Sequence, residues 1–452
     1  MRVPAGVIAG LFAASYSLFG LLRHWHFGSS AYDLGIFDQV VWHLSRFEAP
    51  SSSIRGVSNI FGDHFHPVIA LWTPLYWLFP AAETLIVAQA ILLAVSIIPV
   101  YLFARDRLND RAALGIAIAY GLFWGMQRTM EFDVHELAFA PLVIASAVLA
   151  MDRGRWHLFW IAAAALVLVK EDQIALLGGF ALYLWFRGER RRAAWLAVAS
   201  VVLFAVVIGF IVPALNDAGV YEYTDGAGAL LRAPWRIPAM LVTPAAKLRT
   251  LFMWFAPFLF LPLASPLTLV ALPLLLERLL SPSAFHWGTI FHYSAPLAPL
   301  LAMAAADGLA RLDLTPKRAG YAAAVVVLLC SILPGGLPLW RLLSPAQYRA
   351  PLVTLTAPAV LSLIPGDAVV VAQAAIVPHL SERPRIYMLD DHAPAADYVV
   401  MHDALSPWPM PGVEALRRLV QERETRGYAV VAARDGWTLL RRQPNGGSGA
   451  SR

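Results

Sequence analysis

Apolar runs of roughly 20 residues recur from residue 4 to residue 340, and this repetition constrains the fold more than any other feature. A chain built this way hides its backbone polar groups in helices, because hydrocarbon offers them no partner. Charge is correspondingly sparse, at 14% of residues against about 25% in a soluble domain. An ordinary cytosolic enzyme and a disordered chain are both excluded. The pattern predicts an all-α polytopic membrane protein of about 11 transmembrane helices. Spans are expected near 4–22, 84–104, 112–130, 137–151, 157–170, 173–187, 193–213, 250–264, 266–280, 290–308 and 320–339. The segment 68–80 is apolar but short, and Pro67, Pro74 and Pro80 punctuate it, so it reads as re-entrant or interfacial. The run Val7 to Leu22 lacks a small-x-small cleavage site before His24 and reads as a retained first span.

Basic residues orient the spans. Arg105, Arg107 and Arg111, then Arg153 and Arg155, then Arg187 and Arg190 to Arg192, then Arg311, Lys317 and Arg318, all fall on the side of Arg2. The positive-inside rule makes that side cytoplasmic, with the tail outside an inner (plasma) membrane. The net charge of +5 belongs to these loops. No compact basic and aromatic patch marks a nucleic-acid partner. One helix over 157–187 would bury Lys170, Glu171 and Asp172 at mid-membrane, which is expensive, so two short helices meeting at the outer surface are expected. The lone cysteine, Cys330, lies in an apolar run and forms no intrachain disulfide.

From about residue 341 the chain changes character. Ala368 to Ala372, Tyr398 to Met401 and Tyr428 to Ala433 read as strands, and Arg434-Asp435-Gly436 as a turn into Trp437 to Arg441. Val413 to Arg426 has the apolar spacing of an amphipathic helix. The expected division is a transmembrane domain over 1–340, a small extracytoplasmic α/β domain over 341–442, and a Gly/Ser-rich disordered tail over 443–452.

In that topology the acidic and histidine clusters all face outward. They are Asp33 with Asp38, Asp63-His64-Phe65-His66, Asp133-Val134-His135-Glu136, Lys170-Glu171-Asp172, and His286-Trp287 with His292-Tyr293. Polar groups gathered on one face imply one shared cavity. Each cluster also has a plainer role. Asp33 fits as an N-cap for a loop helix over 34–44, and Asp38 as a structural carboxylate; the functional alternative is a base in the first outer loop. Asp63, His64 and His66 are metal-ligand types, but their spacing lacks the specificity of a zinc signature and no metal is assigned. Asp133, His135 and Glu136 suit an ion-paired cap between spans or a substrate contact. Lys170, Glu171 and Asp172 could neutralise one another, or the lysine could meet a phosphate. His292 and Tyr293 suit an interfacial aromatic anchor or a lipid phosphate contact. No phosphate-binding glycine loop, Gly-x-Ser-x-Gly, His-Glu-x-x-His or Cys-x-x-Cys is present, and no cofactor is named by the sequence.

The combination of YDLGIFDQ (Tyr32 to Gln39), GDHFHP (Gly62 to Pro67), FDVHE (Phe132 to Glu136) and KED (Lys170 to Asp172) resembles a prokaryotic family of predicted membrane proteins, domain of unknown function 2079. Ile364 to Ala368, Pro378 to Ser381 and Asp397 to Val400 extend the resemblance, which runs from about 20 to about 440. His66 stands where a less polar residue would be expected, and no acidic group of the pattern is lost. That architecture is similar to the C-type glycosyltransferases, which move a sugar from a polyprenyl-phosphate carrier to an acceptor outside the cytoplasm. The resemblance implies a carboxylate base in the first outer loop, Asp33 first and Asp38 second. It implies a pocket shaped by Asp63, His64, His66, Asp133, His135, Glu136, Glu171 and Asp172. Phosphate partners would be Lys170, with Arg128, His292 and Tyr293 as further candidates. A transporter or lipid-carrier flippase is the alternative, although transporters place polar groups near the midplane. A non-catalytic assembly protein, using its outer domain to bind a partner, is a third reading.

Overall fold

Most of the chain is helical because its apolar runs are rich in Ala and Leu, which lose little on entering a helix. The computed structural model describes residues 5–223 and 233–443. Contacts divide the chain into two units. Met1–Gly20, Phe61–Ile69 and Ile86–Leu343 form the first; Leu21–Ile60, Ala70–Leu85 and Ser344–Arg452 form the second. On sequence the division is linear, near residue 340; by contacts the second unit also takes in two stretches from the first 85 residues. The expected disordered tail lies, beyond Gln443, outside the described residues.

Three helices among the described residues are long and apolar enough to cross a membrane: Ala5–Trp25, Ala82–Arg105 and Arg190–Leu215. Other apolar segments are divided. The expected span 112–130 breaks at Phe123 into Asp110–Leu122 and Trp124–Glu131. The charged tip at 170–172 separates helices Trp156–Val169 and Ala175–Phe186, as the cost of burying its charges requires. Lys170 there is extended (φ −169°, ψ 152°), and Glu171–Ile174 makes one 3-10 turn. The proline-punctuated segment forms only a 3-10 stretch, Pro67–Trp72, and one α turn, Thr73–Tyr76.

In the first unit small residues bring helices together. Asp110–Leu122 packs on Pro316–Ile332 through Ala112, Ala319 and Ala323. Ala175–Phe186 crosses Thr268–Leu280 at Gly179, where a Cβ would lie 2.1 Å from the Val270 carbonyl oxygen. Lys247 Nζ donates to the Met240 carbonyl (2.8 Å) of helix Ile237–Val242 and to the Leu279 carbonyl (2.6 Å), the latter a group left over at the end of Thr268–Leu280.

The second unit contains a five-stranded sheet of order β2-β1-β3-β5-β4, from β1 (Val370–Ala372), β2 (Ile386–Met388), β3 (Tyr398–His402), β4 (Tyr428–Arg434) and β5 (Trp437–Arg442). β1 runs parallel to β2 and β3, whereas β5 is antiparallel to β3 and β4. Asp435 and Gly436 both take positive φ (52° and 87°), as a tight two-residue hairpin demands. Helix Val413–Thr425 lays Leu416 and Val420 on Val371, Val399 and Leu440. β2, three residues long, has too short a period to be legible in sequence. Helix Ile36–Ser45 starts at Gly35 with no side-chain cap, so Asp33 is not the N-cap that its position implied.

Candidate functional site

In the first unit, loops from five parts of the sequence meet. His64 Nδ1 lies 2.5 Å from Glu171 Oε1, and the Phe65 backbone N–H donates to Glu171 Oε2 at 2.9 Å. The Tyr221 hydroxyl donates to Glu171 Oε1 (3.1 Å), and that of Tyr223 to Asp63 Oδ1 (2.9 Å). Lys170 Nζ forms an ion pair with Glu136 at 2.9 Å. His135 stacks on His292 with ring centroids 3.4 Å apart, and Phe132 borders both rings. Gln89 holds the Asp133 turn in place: its amide donates to the Asp133 carbonyl (2.6 Å) and accepts from the His135 N–H (2.9 Å). Asp133 itself sits at φ +70°, a region that non-glycine residues rarely occupy.

Burial and neighbouring charge set the protonation states. Burial pushes Glu136 up, but the Lys170 ammonium and two imidazoles outweigh it and hold the carboxyl far below its usual range. Burial opposes the Lys170 charge, yet Glu136, Glu171 and Asp172 together raise it well above the ordinary value. Burial likewise raises Glu171, and His64 and Lys170 bring it down to about 2. Burial lowers His135 to about 4, so its ring is neutral at pH 7. The lysine of the KED tip does not neutralise its own neighbours; it is matched by Glu136 from another loop, while Glu171 is engaged by His64. Arg128, a candidate phosphate cation on sequence, is paired with Glu131 and donates to the Gly336 carbonyl at 3.1 Å.

Arg278 was not legible as a site residue. It is 1% exposed, and all three of its guanidinium nitrogens lack a hydrogen-bond partner among the described residues. Its guanidinium carbon lies 5.7 Å from the centre of the Tyr293 ring, and Asp172 and His292 sense its charge. A buried guanidinium with free donors is a receptor for an anion, and its planar fork suits a phosphate. The signal was present in the apolar run Leu274-Leu275-Leu276-Glu277-Arg278-Leu279-Leu280, since an ionisable pair in such a run is a functional candidate. Gln89, Tyr221 and Tyr223 carried no comparable signal. No group of three or more metal-ligating side chains occurs among the described residues, and Asp63 and His64 point their polar atoms at Tyr223 and Glu171.

Asp33 and Asp38 belong to the second unit. Asp33, partly buried, has φ +73° and ψ −93° just before helix Ile36–Ser45. Such a backbone costs about 1–3 kcal/mol and recurs at active sites. Asp38 is fully buried and accepts hydrogen bonds from the Tyr76 hydroxyl and from Ser381 Oγ (2.6 Å). Burial raises it to about 7 against those two hydrogen bonds, with Glu83 adding to the rise. Burial, then Asp38 and Glu83, raise Glu382 to about 8. Nearby His24 stacks on His379 at 4.1 Å, and Gln39 donates to the Arg383 carbonyl at 3.2 Å.

These features define a helical membrane protein with a small C-terminal sheet and buried charged clusters at its helix ends. The chain belongs to the DUF2079 family of predicted membrane proteins, whose family model matches residues 23–439. Its fold is similar to the crystal structure of ArnT from Cupriavidus metallidurans bound to undecaprenyl phosphate. The TM-score is 0.59 at 13% identity, covering 97% of this chain and 98% of that one. The family is the one the motifs resembled. At this identity the likeness is one of fold alone. No curated protein matches the chain in sequence.

Proposed function

We propose that the chain is an integral membrane glycosyltransferase that moves a sugar from a polyprenyl-phosphate donor to an acceptor on the extracytoplasmic side. The observation that carries this reading is Arg278, a buried guanidinium with no hydrogen-bond partner among the described residues, beside a lysine already balanced by Glu136. Such a group favours an anion that arrives with the substrate. In this reading Arg278 neutralises the carrier phosphate, a role that Lys170 cannot fill without abandoning Glu136. The fold likeness to a protein that binds undecaprenyl phosphate supports a lipid-linked donor. His64, His66, His135, Glu171 and Asp172, with Asp63 and Asp133, shape the polar pocket, and His292 and Tyr293 border the phosphate.

Asp33 is the proposed base. It takes the proton of the acceptor hydroxyl as that oxygen bonds to the anomeric carbon and the bond to the carrier phosphate breaks. The strained backbone at Asp33 supports this choice. About 11 spans, a cytoplasmic N-terminus, a transmembrane domain over 1–340 and an extracytoplasmic domain over 341–442 complete the proposal. The test is transfer by the purified protein from a polyprenyl-phosphate sugar pool, alongside glycolipid profiling of a deletion strain. Asp33→Asn, whose side chain tolerates positive φ, is expected to lower transfer about 10²–10⁴-fold with folding intact. Full transfer by that variant would remove Asp33 from the role. Unchanged glycolipids in the deletion strain would remove the activity.

A further inference from the structure

A second candidate site lies in the first unit, at the other end of a helix hairpin. Helices Phe139–Asp152 and Trp156–Val169 are joined by Arg153-Gly154-Arg155, with Gly154 at φ +67° allowing the tight reversal. Between them runs a cavity of about 430 Å³. Val143, Ser146 and Leu149 line one wall, spaced as one helix face, and Leu158, Ile161 and Ala165 line the other. Arg153 and Arg155 stand at its mouth. Arg153 is already paired, 2.8 Å from Asp106. Arg155 is exposed, and its guanidinium forms no hydrogen bond or ion pair with any described residue.

We propose that this groove holds one acyl chain of an anionic phospholipid whose headgroup phosphate sits on Arg155. Two independent features fix the occupant. From residue 155 to residue 165 the groove rises about 15 Å along the helix, half of the ~30 Å hydrocarbon core, which is the depth of one leaflet. Its walls are apolar throughout except for Ser146, so they suit a hydrocarbon chain. The cation at the mouth then selects the headgroup, and one basic residue at a membrane surface gives about a fivefold preference for anionic lipid. The site requires only that the hairpin lie in a bilayer, and it is independent of the proposed sugar transfer.

The test uses the full-length protein, delipidated in a neutral detergent and titrated with phosphatidylglycerol or phosphatidylcholine, with bound lipids counted by native mass spectrometry. One phosphatidylglycerol is expected to be retained, about fivefold more tightly than phosphatidylcholine. Arg155→Glu, an exposed position that leaves folding alone, should abolish that preference. Ala165→Trp, which fills the groove but leaves the charge, should remove the bound lipid. Arg191→Glu, a charge reversal in the exposed first turn of helix Arg190–Leu215, should change nothing. Equal retention of the two lipids, an inert Arg155→Glu, or an equal loss with Arg191→Glu would overturn the proposal. Displacement of the lipid by polyprenyl phosphate at lower concentration would assign the groove to the carrier instead and would equally overturn it.

Discussion

Replacing Arg278 by methionine should move stability and activity in opposite directions. Methionine keeps most of the volume and removes the charge. Burying an ion without a paired partner costs several kcal/mol, even after the surroundings relax. In this structure two features return part of that cost. The Tyr293 ring, 5.7 Å away, contributes up to ~2 kcal/mol, and Asp172 adds some attraction without a close ion pair. The remainder gives a stabilisation of about 1–2 kcal/mol for Arg278→Met in the absence of substrate. In a chain of this size that corresponds to a rise of roughly 1–3 °C in Tm. Transfer should fall about 10²–10³-fold, the usual loss when one donor to a developing anion is removed. Thermal unfolding followed by intrinsic fluorescence, in one detergent, measures the first quantity; initial rates at saturating donor measure the second. Arg278→Lys, which keeps the charge but loses the fork, should fall between. A variant that loses several degrees of Tm while transferring normally would mean that the guanidinium is held by the fold and serves no anion.

The Lys170–Glu136 pair should behave as a unit: Glu136→Gln or Lys170→Met alone should each destabilise by about 3–5 kcal/mol, and the double variant by less than their sum, as a double-mutant cycle in thermal unfolding would read. Asp38 and Glu382 stay protonated in the folded protein up to about 7 and about 8, so the folded state binds more protons than the unfolded state above the ordinary carboxylate range. Stability should therefore decline as pH rises from 5 to 8, and Asp38→Asn should flatten the decline; a wild-type profile with no slope there would contradict the burial argument. Gly179→Ala should cost about 1–3 kcal/mol because its Cβ would strike the Val270 carbonyl oxygen at 2.1 Å, whereas Gly178→Ala, with Ser200 Oγ at 3.6 Å, should be close to neutral in the same unfolding assay.

Much of the helical architecture was legible because apolar periodicity is a local property. The break at Lys170 followed from the cost of three charges at mid-membrane, and the hairpin at Asp435-Gly436 from residues that accept positive φ. The strands β1, β3, β4 and β5 and the helix Val413–Thr425 were read within a residue or two. Of the five polar clusters expected to share one cavity, four are linked by contacts in the first unit, while Asp33 and Asp38 belong to the second. The partners within that meeting were not legible. Lys170 is matched with Glu136 and not with its own neighbours, and Glu171 with His64, 107 residues away.

The amino-acid order alone determined that this chain is helical, apolar and punctuated, because those features depend on each segment's exchange of water for hydrocarbon and on its own backbone preferences. Only the tertiary structure decided that the first loop folds with the tail, through Asp38 on Ser381 and Ser53 on Ile386, and that the buried Arg278 is left without a described hydrogen-bond partner. Pairings of that kind join residues hundreds of positions apart. They are fixed by the summed packing of the elements that carry them, and no local pattern in either segment records them.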